Sequence, residues 1–139
     1  MTMKDTVLAF VDRINNHDVD GIVGFLADDY QFVNSAGDAY RGREMMRATW
    51  AEHFRQYPDF KIKIQRVVAD DEGVGIFGVS QGTYSPDGKF DEENHWEVPS
   101  AFLGVARDGQ MTYWQTWSDS SWVFDIIEAN QDEHEQHTT

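Results

Sequence analysis

The sequence predicts an α+β domain in which a curved antiparallel sheet folds over three N-terminal helices. Three observations predict it. Apolar residues recur at helical spacing only in the first part of the chain, before Pro58. From Phe60 to Asp119 the apolar period is two. Turn-forming clusters at Asp70-Asp-Glu-Gly73, Ser85-Pro-Asp-Gly88 and Arg107-Asp-Gly109 cut that second part into strands. A length of 139 residues suits one domain with a proper core, expected over residues 1–129 and followed by a polar, disordered tail at 130–139.

In chain order, Val7, Leu8, Val11 and Ile14, with Phe10 beside them, predict an amphipathic first helix capped by Thr2 or Asp5. Asn15-Asn-His-Asp18 interrupts the pattern, His17 reading as a solvated loop residue, and Asp18 is placed to cap a short second helix with Val19, Ile22, Val23 and Leu26 on its apolar face. Tyr30 to Val33 reads as a brief strand and Asn34 to Asp38 as a turn. A third helix runs from about Arg43 to Tyr57, ended by Pro58; Met46, Trp50, His53, Phe54 and Tyr57 share one of its faces. The strand that begins at Phe60 alternates with Lys61, Lys63 and Gln65, so one of its faces is wet. Val74 to Tyr84 follows, with Gly75, Gly78 and Gly82 as points of bending or bulging, and then His95 to Val105.

Composition limits the partners. With 25 acidic and 11 basic residues the formal net charge is −14, which repels nucleic acid and anionic lipid alike. No cysteine is present, the first residues lack an apolar signal segment, and no run reaches the length of a spanning helix; a cytoplasmic location is the expectation. No cofactor is implied. A metal site built from His53, His95, Glu97 and Asp119 has suitable residue types but no recognised ligand spacing, so none is assigned.

The last strand, Gln110 to Asp119, is the expected pocket wall. Strict alternation places Met111, Tyr113, Gln115, Trp117 and Asp119 on one face and Thr112, Trp114, Thr116 and Ser118 on the other. A carboxyl group beside Trp117 in a partly dry pocket would have a raised pKa and could exchange a proton near neutral pH; alternatively Asp119 caps the segment that follows. His53 stands among aromatic residues, where a hydrogen-bonded core role competes with a catalytic one. His95 and Glu97 share a strand face that is either inward or, from the hydrophilic run at 91–95, an exposed rim.

The segments Asp18-Val-Asp-Gly-Ile-Val-Gly-Phe-Leu-Ala-Asp-Asp-Tyr30, Ala36-Gly-Asp-Ala-Tyr-Arg-Gly42, Trp50-Ala-Glu-His-Phe54, Tyr57-Pro-Asp-Phe60, Gly82-Thr83 and Asp108-Gly109 resemble the nuclear-transport-factor-2-like superfamily, and within it the SnoaL-like polyketide cyclase group. The resemblance spans roughly residues 5–128. It implies a cone-shaped α+β barrel, usually dimeric, with a pocket between sheet and helices. In the cyclases an Asp at the end of the last long strand is the acid/base, and Asp119 occupies the matching place. Where the related steroid isomerases carry a catalytic Asp this chain has Asn34, and Phe10 replaces their catalytic Tyr. Of the acidic and basic set of the limonene-epoxide-hydrolase type, Glu97 matches one member and the Arg is absent.

Two kinds of activity follow as expectations. The first is a cofactor-independent lyase, isomerase or cyclase acting on a small apolar or aromatic carbonyl compound, with Asp119 as acid/base, His53 or His95 as its second group, Asn34, Tyr113 and Gln115 polarising oxygen, Glu97 adding to the polar set, and Trp50, Tyr57 and Trp117 stacking on the ligand. The second is a non-catalytic small-molecule binding module, or a homodimerisation scaffold using the open sheet face and the apolar segment 122–127, whose apolar density suits either a covering helix or a subunit contact.

Overall fold

The computed structural model describes residues 1–119 and 121–137, with side chains in the last helix at 121 and 123–131. The chain runs α1 (Met3–Asn15), α2 (Val19–Gly24), β1 (Leu26–Val33), β2 (Ala39–Arg41), α3 (Arg43–Gln56), β3 (Lys61–Ala69), β4 (Val74–Thr83), β5 (His95–Arg107), β6 (Gln110–Ser118) and α4 (Ser121–His137). The class is α+β as the periodicity predicts: the six strands form one curved, unclosed sheet in the order β2-β1-β6-β5-β4-β3. Among the described residues no helix is long and apolar enough to cross a membrane.

The N-terminal helices form for the local reasons read above. Thr2 and Asp5 make a reciprocal capping box on α1, each side chain accepting the other's backbone N–H at 3.1 Å. Asp18 caps α2 by accepting the Gly21 N–H at 2.9 Å. Val7, Phe10, Val11 and Ile14 are buried against the sheet, and Phe10 meets the Trp114 ring edge-on at 5.3 Å. His17, expected in solvent, is half-buried: it stacks on Phe54 at 4.3 Å, and its Nε2 lies 2.7 Å from the Phe60 carbonyl, which can only accept. Asn15 does what a neighbouring strand would do. Its side-chain amide donates to the Ile62 carbonyl at 3.0 Å and accepts the Ile62 N–H at 2.8 Å, covering part of the free edge of β3.

Three features depart from the sequence pattern. β1 begins at Leu26, where α2 was expected to continue; Asp28 and Asp29 are both exposed and break the alternation, each held by an arginine, Arg43 at 3.0 Å and Arg107 at 3.1 Å. β1 pairs with β6 in parallel, so the sheet is not wholly antiparallel. α4 continues past Asn130 to His137, into the segment read as a tail.

β3 bulges between Ile64 and Arg66, opposite Gly78. A Cβ at Gly78 would lie 1.9 Å from the Lys63 carbonyl oxygen, so the two backbones approach only because that position has no side chain. Gly78→Ala is expected to lower unfolding stability by about 3 kcal/mol, measured by urea denaturation, whereas Gly24→Ala, with nothing within 4 Å of the added carbon, should change it little. A Gly78→Ala protein as stable as the unmutated chain contradicts this register.

Candidate functional site

α3 crosses the concave face of the sheet without sealing it, and α4 covers part of the opening. Between them lies a cavity of about 730 Å³, within the range of small-molecule pockets. Trp50, His53 and Tyr57 of α3 and its C-cap form one wall; Ser80, Trp96, Val98, Phe102 and Trp114 form the floor; Phe32, Thr116 and Ser118 continue it toward the mouth, where Val123, Phe124 and Ile127 of α4 hang over. None of the described lining residues is Asp, Glu, Lys or Arg.

His53 is the titratable group of greatest interest in this wall. It packs edge-on against Phe60 at 4.4 Å and against Trp50 at 5.6 Å, and tilts on Tyr57 at 5.1 Å. Its Nε2 is buried with no hydrogen-bond partner among the described residues, as are Nε1 of Trp50 and of Trp96. Burial first, and the nearby His17 second, depress its pKa from 6.5 to about 4, so the imidazole is neutral at neutral pH. Burial, with Tyr84 adding to it, pushes the Tyr57 phenol up to about 12. The hydrogen-bonded core role weighed for His53 is therefore not what is observed: the ring sits in the aromatic wall without a polar partner at Nε2.

From Tyr113 to Ser118 the two faces of β6 are grouped as alternation predicts, but Met111 changes sides and the inward face is that of Trp114, Thr116 and Ser118. β5 and β6 pair Val105 with Tyr113 but Ala106 with Met111, so Thr112 is an extra residue and the parity changes at that point. Met111 and Trp114 both point into the core and are fully buried. Tyr113, Gln115 and Trp117 stand on the outer face, none of them lining the cavity; the Tyr113 hydroxyl donates to the Gln115 side chain, and Trp117 is 45 % exposed. The ligand-stacking role expected of Trp117 and the oxygen-polarising roles of Tyr113 and Gln115 are therefore corrected.

Asp119 is corrected too. It is exposed, away from the cavity lining, and its Oδ1 accepts the Ser121 hydroxyl at 2.7 Å and the Ser121 N–H at 3.1 Å. These bonds hold its carboxyl below the usual aspartate range, the reverse of the raised pKa a proton-transferring group needs. It supports the start of α4, the capping role that the sequence left as its alternative.

His95 and Glu97 are exposed and on the outer face, with Trp96 and Val98 buried between and beside them. The His95 ring lies 3.0 Å from the Thr83 hydroxyl through Nδ1 and 3.5 Å from Glu97 through Nε2; Thr83 donates its own proton to Asp59 at 2.7 Å. Neither joins the cavity. Asn34 does line it, but its amide oxygen is occupied by the N–H groups of Ala36 and Asp38, both at 3.0 Å, and its amide nitrogen donates to Asp38 at 3.4 Å. It shapes a turn rather than polarising a ligand. Of the expected set, Trp50, His53 and Tyr57 come together in the cavity wall. Missed were Trp96, Phe102, Trp114 and Ser80, although the alternation of Trp96, Val98, Ser100 and Phe102 against exposed His95, Glu97 and Pro99 carries the signal for the inner face of β5. Among the described residues no three His, Asp or Glu side chains gather as a metal site; the side chains of His134 and His137 lie outside the described residues.

The SnoaL-like domain model matches residues 7–114. The chain belongs to the SnoaL-like domain family. Solved structures agree on the fold. A candidate SnoaL-like polyketide cyclase from Shewanella putrefaciens superposes with a TM-score of 0.77 at 14 % identity, covering 93 % of this chain and 88 % of its own. A candidate polyketide cyclase from Xanthomonas campestris gives 0.76 at 22 %, covering 89 % and 96 %. An LEH-like epoxide hydrolase from M. tuberculosis gives 0.71 at 20 %, covering 90 % and 88 %. No curated protein matches the chain. These identities show that the SnoaL-like domain shares a scaffold with proteins of differing names, so its activity has to be argued from its own cavity.

The depressed pKa of His53 makes a pH prediction. In the unfolded chain this imidazole takes up a proton near 6.5, in the folded domain only near 4. Between those values the unfolded state binds more protons, so the His53 contribution lowers stability as pH falls through that window. Thermal melts of the unmutated domain and of His53→Gln should diverge there, the variant losing less on acidification; parallel curves would show that His53 is not held neutral.

Proposed function

We propose that this SnoaL-like domain binds a small, largely apolar or aromatic molecule in the cavity between α3, the sheet and α4. The observation that carries this reading is the described lining itself: among the described residues three indoles, one phenol and several phenyl rings surround about 730 Å³, with no carboxylate, ammonium or guanidinium among them. Aromatic walls supply large contact area at small entropic cost. The neutral fluorescent probe N-phenyl-1-naphthylamine is expected to bind at one site per chain. Ser80→Phe, which fills the floor between Ile62 and Val98, should weaken it by about tenfold or more, about 1.4 kcal/mol. Binding indifferent to that substitution would place the probe elsewhere and remove the reading.

A second reading keeps the cavity and adds chemistry: a lyase, isomerase or cyclase acting on a small apolar carbonyl compound, with His53 in the role first expected of Asp119. What favours it is that His53 lines the cavity and is unprotonated at neutral pH, so it can accept a proton. Its low basicity makes it a modest catalyst, which is why binding ranks first. Proton abstraction is tested directly by exchange of the methyl protons of 2-acetylnaphthalene in heavy water, followed by NMR. On this reading exchange accelerates with the unmutated domain and not with His53→Gln, while probe binding changes little. Equal exchange with both proteins leaves the binding reading alone.

The outer sheet face supports a homodimer. Cross-strand rows place Arg66, Phe77, Ala101 and Trp117 in line, with Val68, Gly75, Leu103 and Gln115 beside them; Phe77 and Trp117 are 47 % and 45 % exposed. Lys61, Lys63 and Arg66 border this apolar surface along the β3 edge, and Glu97, level with Lys61 through Gln81, lies two strands across. A second copy turned about an axis along the strands would set the basic β3 edge against Glu97, which suits self-association in a chain of net charge −14. Trp117→Lys should shift sedimentation toward monomer without altering probe binding; an unmutated chain that is monomeric at all concentrations contradicts the contact.

A further inference from the structure

At the mouth of the cavity three hydroxyl groups from two separate segments converge. Ser35, in the turn shaped by Asn34, accepts the Ser118 N–H at 3.1 Å. Its Oγ lies 3.4 Å from the Thr116 hydroxyl and 3.3 Å from that of Ser118. All three residues line the cavity. They reach it because the parity change at Thr112 turns Trp114, Thr116 and Ser118 inward together, so an aromatic floor leads directly to a hydroxylated rim. Hydroxyls both donate and accept and can rotate to suit a partner. A ligand hydroxyl or carbonyl is thus matched there in either sense.

The same region has no described cationic side chain to neutralise an anion. Among the described residues no charged side chain lines the cavity. The carboxylates nearest in sequence are Asp38, which closes the turn holding Ser35 through Asn34 at 3.4 Å, and Asp119, which follows Ser118; the hydrogen bonds from Ser121 keep Asp119 ionised. An entering anion meets like charge, and a cation loses its water without gaining a counter-ion inside.

Resting on the binding function proposed above, we infer that the ligand is an uncharged molecule with an apolar body and one hydroxyl or carbonyl end, and that Ser35, Thr116 and Ser118 form the subsite that reads this end. The body lies against Trp114, Phe102 and Trp96, and the polar end is held at the rim. The subsite sets preference among apolar ligands rather than overall retention, because the aromatic contacts are common to all of them.

Four matched probes test this: 2-acetylnaphthalene, 2-ethylnaphthalene, 2-naphthoate and 2-naphthylmethylammonium, each competed against N-phenyl-1-naphthylamine on the full chain. The ketone is expected to bind about fivefold tighter than the hydrocarbon, the usual worth of one net hydrogen bond, and both ions about tenfold or more weaker than the ketone. Thr116→Val, which keeps the side-chain shape, and Ser35→Ala, which removes the central oxygen, should each reduce the ketone's advantage while leaving the hydrocarbon's affinity unchanged, itself the control for an intact pocket. An ion that binds as tightly as the ketone, or a ketone advantage retained in both variants, overturns the inference and leaves the binding function standing. If none of the four competes, the binding function itself fails and the inference goes with it.

Discussion

Between the Val105–Tyr113 and Ala106–Met111 pairs the β5–β6 register slips by one residue, and most of what the cavity contains follows from that slip. The side-chain period of a strand is two, so one extra residue exchanges the faces of everything beyond it. With Thr112 inserted, Met111 fixes the N-terminal end of β6 in the core while Trp114, Thr116 and Ser118 turn inward and Tyr113, Gln115 and Trp117 turn outward. The result is a cavity with an indole floor and a hydroxyl rim. The carboxylate at the strand's end is left outside, where it supports the next helix.

The slip is held by packing on the inner face. Trp114 is fully buried, stacked on Phe102 at 5.2 Å and met edge-on by Phe10 of α1, a cluster whose burial outweighs what surface ion pairs supply. Reversing the parity would expose Trp114 and bury the Tyr113–Gln115 pair. The Arg55–Glu52 pair on α3 and the Arg107–Asp29 pair beside β1 are exposed and contribute orientation more than stability. Polar groups that do matter are placed at edges and ends: Asn15 on β3, Asp18 on α2, Asn94 and Asn130 exchanging amide hydrogen bonds between the segment before β5 and α4 at 3.0 and 3.3 Å.

The sequence made the class and most elements legible because local signals there agree with the tertiary outcome. Val7, Val11 and Ile14 carry both the helical period and the buried face; Asp18 is both a good cap and the observed one; Pro58 both disfavours helix before it and follows the last turn of α3. Where local pattern and long-range pairing diverge, the reading diverges too. Asp28 and Asp29 hide the start of β1 because both are exposed, and nothing local announces that β1 will lie parallel to β6. His53, Trp50 and Tyr57 were legible as a shared helix face that ends up in the cavity wall. Asp119, Tyr113, Gln115 and Trp117 were grouped on one face but taken as the inner one; which face is inward depends on pairing with β5, a relation between two strands that neither strand contains alone. His95 and Glu97 share the outer face for the converse reason: the uninterrupted alternation of β5 is governed by Trp96, Val98 and Phe102.

A cavity bounded by neutral rings, with no carboxylate among its described lining residues, narrows the chemistry to recognition of apolar molecules and to whatever a neutral imidazole can add. That account stands on Asp119 being a solvent-exposed helix support rather than a cavity group. NMR titration of the Asp119 side-chain carboxyl, with and without N-phenyl-1-naphthylamine, tests it most directly. The account predicts a midpoint below that of an ordinary aspartate and unchanged by the probe; a midpoint above the ordinary value, moving when the probe binds, would contradict it.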